Sequence, residues 1–155
     1  MKTLFFYILI FLSRTLIGQF FAGAGLGTNF ETLAVNPRAE FIVGSHASIS
    51  AYAYYPVLKP ANLPDFMTVN ADFHYYMRHP LEFNYYPLAG IGIIFILENP
   101  SEQNITKNYF CLNAGGGVSF PLSSKIYMYL EGALVTGAKV LRTDLRFQTG
   151  LTYLF

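Results

Sequence analysis

The sequence predicts an all-β protein, a closed antiparallel up-and-down transmembrane β-barrel of about eight strands. Three observations carry that expectation. Of the 155 residues, 53% are hydrophobic and 17% aromatic while only 12% are charged, a balance too apolar for an ordinary soluble surface. Beyond residue 18 no stretch reaches the ~18 uninterrupted apolar residues of a membrane helix, so a crossing has to be made by strands closed on one another. Polar and apolar residues then alternate with period two along most of the chain. The length suits one unit rather than two ordinary domains.

The N-terminal segment is set apart from this pattern. Met1-Lys2 is followed by an apolar run from Leu4 to Leu12, then Arg14, then Ile17-Gly18-Gln19. This is the pattern of an export signal peptide, and the run is well short of the ~20 residues that span a bilayer as a helix. The expected division is residues 1–18 as signal peptide and 19–155 as barrel. Residues 19–155 carry eight basic side chains against nine acidic ones. With no basic excess and no run of like charge, nucleic acid is not an expected partner.

The strands follow in order: Phe20–Thr28, Val35–Val43, Ala47–Tyr55, Val69–Met77, Tyr85–Leu97, Asn108–Phe120, Lys125–Leu134 and Asp144–Phe155. The last is the clearest, with Leu145, Phe147, Thr149, Leu151, Tyr153 and Phe155 on one face and Asp144, Arg146, Gln148, Gly150 and Thr152 on the other. In the fourth, Val69, Ala71, Phe73, Tyr75 and Met77 oppose Asn70, Asp72, His74 and Tyr76. Glycine and alanine weaken several of the others, because a side chain that cannot pack does little for a strand.

The connections alternate between short and long. Gly44-Ser45-His46, Arg78–Asn84 and Pro121–Ser124 form one set; Val57–Phe66, Glu98–Lys107 and Val135–Thr143 form the other, joined by a first loop of unusual brevity at Asn29–Ala34. Short periplasmic turns opposite longer external loops, with an even strand count, is the arrangement of an outer-membrane barrel. Tyr55, Phe95 and Phe110 then fall near the outer rim, and Phe20, Tyr75, Met77, Tyr85, Phe120, Tyr153 and Phe155 near the inner rim, as two aromatic girdles.

With the apolar face turned to lipid, the opposite face lines the lumen. It holds Arg38, Glu40, Asp72, His74, Glu131 and Arg146. An eight-stranded barrel is only just wide enough for its side chains, so these charges have to pair. The expected outcome is a charge network filling the lumen, with a narrow polar path or gated pore as the functional alternative. Tyr127 and Tyr129 share the parity of Glu131, which makes that inward assignment the least secure.

Other constellations point to ordinary roles. Gly115-Gly116-Gly117 and Gly90-x-Gly92 precede no helix and lack the partners of a phosphate loop, so they read as close-approach positions. His46 and His79 fall in turns without cysteine or carboxylate partners at metal spacing, so no metal site is expected. His74, with Asp72 two residues away and Ser48 and Ser50 on the neighbouring strand, raises a Ser/His/Asp arrangement as a minor alternative. Cys111 has no disulfide partner and reads as a small apolar strand residue. Asn104-Ile105-Thr106 matches a glycosylation sequon, meaningful only in a eukaryotic secretory pathway.

Taken together, Tyr86-Pro87-Leu88-Ala89-Gly90-Ile91-Gly92, Asn113-Ala114-Gly115-Gly116-Gly117-Val118, the Pro121–Lys125 turn, Glu131 and the last strand Gly150–Phe155 resemble the small outer-membrane β-barrel proteins common in Bacteroidota, within the broader OmpA/OmpX-like group. The resemblance is best over residues 84–155 and extends loosely back to residue 20. It implies that Phe155 is part of the signal read by the barrel-assembly machinery, and it implies no activity. No peptidoglycan-binding domain is expected after the barrel.

The expected function is a non-enzymatic integral outer-membrane barrel of a Gram-negative cell, structural or surface-interacting, without cofactor, whose partners are outer-membrane lipid and the assembly machinery. Its external loops would meet a surface partner that the sequence does not identify. A soluble periplasmic lipocalin-like barrel holding an apolar ligand is the alternative, and it would have to bury Phe73, Tyr75 and Leu151.

Overall fold

A computed structural model describes residues 19–29, 31–97, 107–137 and 143–155. The signal-peptide segment 1–18, the sequon at Asn104 and most of the expected loops at Glu98–Lys107 and Val135–Thr143 lie outside the described residues.

Eight strands form one closed antiparallel barrel in chain order: β1 (Phe20–Thr28), β2 (Leu33–Ile42), β3 (Ala47–Leu58), β4 (Asp65–Tyr75), β5 (Asn84–Leu97), β6 (Lys107–Pro121), β7 (Ile126–Gly137) and β8 (Asp144–Leu154). Closure is made by β1 against β8, from Phe21 opposite Leu154 to Thr28 opposite Phe147. Every strand is paired with a neighbour on both sides, which removes the hydrogen-bonding liability of an open sheet.

Alternation along the strands sorts side chains cleanly. Outward positions include Leu26, Ile49, Phe73, Ile91, Leu112, Leu130 and Leu151, all exposed. Inward positions on the same strands include Asn36, Asn70, Asp72, His74, Asn113 and Glu131, all buried. The polar set is therefore inside and the large apolar set outside, the reverse of a soluble barrel.

Local chemistry makes the turns. Gly44 takes φ +82°, which its missing Cβ permits, and Val43 N–H donates to the Ala47 carbonyl at 2.7 Å to close the β2–β3 hairpin. Between β4 and β5, Asn84 accepts from the Arg78 amide at 3.1 Å and donates to the His79 carbonyl at 3.1 Å. Ser123 Oγ accepts from the Ile126 amide at 3.1 Å in the β6–β7 turn. Gly90 is needed for a different reason: a Cβ there would come within 2.4 Å of the Ala71 carbonyl and 2.0 Å of Asp72 Oδ1, so no larger residue lets β4 lie this close.

Several strand boundaries differ from the sequence expectation. The loop expected at Val57–Phe66 is shorter: β3 runs on to Leu58 and β4 begins at Asp65, leaving residues 59–64 as loop. Pro56 sits inside β3, opposite Ala34 beside a register shift at Leu33/Ala34, where an irregular ladder tolerates a residue without an N–H. Leu33 begins β2 two residues early, so the first loop is residues 29–32, tied by Asn29 Oδ1 accepting from the Thr32 amide at 2.9 Å. β7 continues to Gly137, past Leu134. Met77 lies outside the strand that was expected to include it, although its amide still donates to the Tyr85 carbonyl at 3.3 Å.

The lumen is layered along its length. At the end carrying the short turns, Phe21, Ile42 and Tyr127 cluster, with Leu81 and Leu154 packed against them. At the opposite end Ala34, Tyr54, Phe66, Ile94 and Cys111 cluster, with Tyr109 and Val135 beside them. The polar residues lie between these two apolar plugs.

Candidate functional site

The candidate site is the polar middle of the lumen. Parity alone places its residues: Arg38 and Glu40 on β2, Asp72 and His74 on β4, Glu131 on β7 and Arg146 on β8 all point inward and all are buried. The structure divides these six into two nests.

Arg38 organises the first. Its Nη1 donates to Glu131 Oε1 at 2.6 Å and its Nη2 to Glu40 Oε2 at 3.1 Å, with both side chains of the Arg38–Glu131 pair 1% exposed. The guanidinium carbon lies 4.4 Å from the centre of the Tyr129 ring. A planar guanidinium on a π face with a carboxylate at each end is the arrangement that best tolerates removal from water.

The carboxylates are saturated by further donors. Glu131 also accepts from Tyr86 Oη at 2.7 Å and from Gln148 Nε2. Glu40 accepts from Tyr76 Oη at 2.5 Å and from Ser48 Oγ. His74 sits between the two, its Nδ1 3.4 Å from Glu40 Oε1 and its Nε2 3.9 Å from Glu131 Oε1, its ring stacked on Tyr86 at 4.8 Å. Buried charges are tolerable only when this thoroughly paired.

Arg146 belongs to the second nest, nearer the loop end. Its Nη2 donates to Tyr52 Oη, and Tyr52 Oη donates in turn to Asp72 Oδ2 at 2.7 Å. The direct Arg146–Asp72 separation is 3.9 Å. Asn113 Nδ2 donates to Asp72 Oδ1 at 2.8 Å and reaches Asn70 Oδ1 at 3.1 Å. Amides extend the first nest: Asn36 Nδ2 donates to Gln148 Oε1 at 3.0 Å and Tyr129 Oη to Asn36 Oδ1 at 3.1 Å, closing a loop from Glu131 back to the ring beneath Arg38.

Asp72 and His74, neighbours on one strand face, thus serve different nests. Asp72 bonds Tyr52 and Asn113 rather than His74, so the Ser/His/Asp arrangement raised by parity is not assembled. His74 instead lies 3.3 Å from Ser50 Oγ and 3.4 Å from Ser48 Oγ, and all three side chains have no exposed surface. A nucleophile has to reach a substrate, and these sit between two apolar plugs.

The sequence placed the charges, and with them Asn70, Tyr76 and Gln148, on the inner face, but did not assign Tyr52, Tyr86 and Asn113 as their neutral partners. The signal was present: each shares the parity of a charged residue on its own or the adjacent strand. Among the described residues, two small recesses adjoin the network. A recess of about 20 Å³ at the turn end is lined by Glu40, Tyr76, Tyr86 and Ser119, and one of about 40 Å³ at the loop end by Asn29, Thr68, Asp144 and Arg146. Such volumes hold one or two waters. The Oγ of Ser119 and Nε of Arg146, both buried, have no hydrogen-bond partner among the described residues.

No family model matches this chain, and no curated protein matches it in sequence. Solved structures do. The N-terminal β-barrel domain of OprF from Pseudomonas aeruginosa superposes with a TM-score of 0.71 at 12% identity, covering 89% of this chain and 97% of that one. A major outer membrane protein from Thermus thermophilus gives 0.63 at 10% identity over 90% and 100%. The outer membrane protein Ail of Yersinia pestis, in a phospholipid bilayer nanodisc, gives 0.59 at 13% identity over 89% and 99%. At such identities the likeness is one of fold: an eight-stranded closed antiparallel barrel.

Proposed function

We propose that this chain is a non-enzymatic integral barrel of a Gram-negative outer membrane, of the kind found in Bacteroidota, with a structural or surface-contact role. One observation carries the reading. The outward face of every strand is apolar, with Phe73 and Leu151 each 49% exposed, while the six charged side chains are turned inward. Water would reward the opposite arrangement, and lipid rewards this one.

Export by residues 1–18 and delivery by the barrel-assembly machinery complete the proposal. Phe155 supports the second part: it is 71% exposed, packs on Phe20 and Tyr153 with ring centres 5.6 and 5.1 Å away, and its amide donates to the Phe20 carbonyl at 3.0 Å. An aromatic residue held at the closing seam is well placed to be read as that seam forms. The face offered outward includes residues 59–64, stiffened by Pro60 and Pro64 and by Lys59, whose Nζ lies 3.1 Å from Asp65 and 2.7 Å from the Leu63 carbonyl. The lumen network is read as a filling, not a path.

The test is expression with the native leader, fractionation of the envelope, and electrophoresis with and without boiling. A membrane-fraction band whose mobility changes only on boiling supports the barrel reading, and planar bilayers containing the protein should then carry no steady current. A soluble periplasmic band without such a change overturns it in favour of a ligand-holding barrel. A steady conductance would replace the filling by a pore.

A further inference from the structure

The outward face is not uniformly ridged. Where β7, β8, β1 and β2 meet in the loop-end half of the barrel, a groove of about 450 Å³ lies open on the outside. Its walls are Leu26, Leu33, Leu130 and Phe147, and its floor is Gly132 and Thr149. The register sets its shape: Thr149 lies opposite Leu130 on one side and Leu26 on the other, while Gly132 lies opposite Phe147 one outward row higher.

Two features of the floor are informative. A Cβ at Gly132 would meet nothing but the edge of the Phe147 ring at 3.3–3.4 Å, whereas at Gly90 it would strike backbone. The barrel's own packing therefore does not require glycine at 132, and its effect is to deepen the groove. Thr149, the hydroxyl on the floor, donates internally to the Tyr129 carbonyl at 3.0 Å, and the second hydroxyl of the lining, Thr28, stands at its loop-end margin, so the floor offers no unsatisfied polar group.

From this the geometry points to a binding site for one acyl chain of a membrane lipid, an inference that rests on the membrane-spanning reading above. The volume falls in the range of small-molecule sites, ~300–1,000 Å³. The width selects the occupant. Leu130 and Leu26 stand two strand spacings apart, roughly 9.5 Å between backbones before their side chains narrow the gap. An α-helix, ~10–12 Å across, cannot enter, and a second barrel would touch the walls without filling the floor. A single hydrocarbon chain fits and leaves no polar group to satisfy.

The experiment uses the full chain purified from membranes into detergent, supplied with palmitoyl-oleoyl phosphatidylethanolamine and read by native mass spectrometry. One phospholipid is expected to stay with each barrel. Gly132→Leu/Thr149→Leu, which fills the floor, should retain it about tenfold less. Ala51→Leu, an equal enlargement on the outward face of β3, should behave as the parent. Phosphatidylglycerol should be retained equally, since the groove contacts the chain and not the headgroup. Equal retention by the filled variant, loss on changing the headgroup, or a species of twice the barrel mass would each overturn the site. If the double variant does not fold, Gly132→Leu alone carries the test. The boiling shift on the same samples keeps the two readings apart: a shift without lipid retention defeats the groove only, and absence of the shift defeats the membrane reading as well.

Discussion

Two arginines on the same inner wall live in different circumstances. Arg38 touches two carboxylates at 2.6 and 3.1 Å, each of them further saturated by tyrosine and other donors. Arg146 reaches its carboxylate, Asp72, at 3.9 Å and bonds it through the hydroxyl of Tyr52. The first is an ion pair locked by direct contact, and the second is an ion pair relayed by a neutral group. The contrast shows that a buried charge can be stabilised by how completely its partners are satisfied, as well as by how near they are.

The largest expected effect comes from breaking the direct nest. Arg38→Met leaves Glu40 and Glu131 buried without their common cation and should cost about 3–5 kcal/mol in urea unfolding from lipid vesicles. A loss under 1 kcal/mol would mean that the carboxylates take up protons or water at little cost. Next is the same guanidinium on the wrong face: Leu151→Arg should cost roughly 2–4 kcal/mol if that residue lies near mid-bilayer. A neutral outcome in the same vesicles would place Leu151 out of hydrocarbon.

Arg146→Met should cost less than either, about 1–3 kcal/mol, because Asp72 keeps Tyr52 and Asn113 as donors. Should Arg146→Met match Arg38→Met, the relayed pair would be as demanding as the direct one and the distinction would fail. The smallest effect is reserved for Tyr86→Phe, which removes one of several donors to Glu131 and should cost about 1 kcal/mol. A double-mutant cycle with Arg38→Met would detect coupling between the two.

Strand identity and the two faces were legible because period-two alternation survives even where alanine or glycine stands outward, as in β3 and β4. Strand ends were less so. Proline at position 56 reads locally as a loop, yet the irregular ladder beside Ala34 accommodates it. The apolar plugs went unseen for a related reason. From Ile91 to Leu97 both faces of β5 are almost wholly apolar, so nothing in the pattern distinguishes Ile94, which turns inward, from Ile93, which turns out.

For the candidate site, parity put all six charged residues on the inner face, but it could not say which of them meet. Meeting across a barrel depends on the stagger between strands, which one strand's sequence does not record. Asp72 and His74 are two residues apart on one face and end in different nests, while Arg38 and Glu131, 93 residues apart, touch. The tyrosines were equally hard to assign. An amphipathic ring is at home in a rim girdle or against a buried carboxylate, and only the assembled barrel distinguishes them.

The plugs at the two ends have a consequence for ionic strength. Phe21, Ile42 and Tyr127 at one end and Ala34, Tyr54, Phe66 and Ile94 at the other cover most of the charged layer, and the Arg38 and Glu131 side chains are each 1% exposed. Dissolved ions screen charges that they can approach, over a Debye length of ~8 Å at physiological salt. The Arg38–Glu131 contact is out of reach of electrolyte, so its attraction should persist from dilute buffer to molar chloride. Lys59 and Asp65, paired on the rim in contact with the medium, should weaken over the same range. In this barrel the salt that dissolves a surface contact leaves the Arg38–Glu131 contact unchanged.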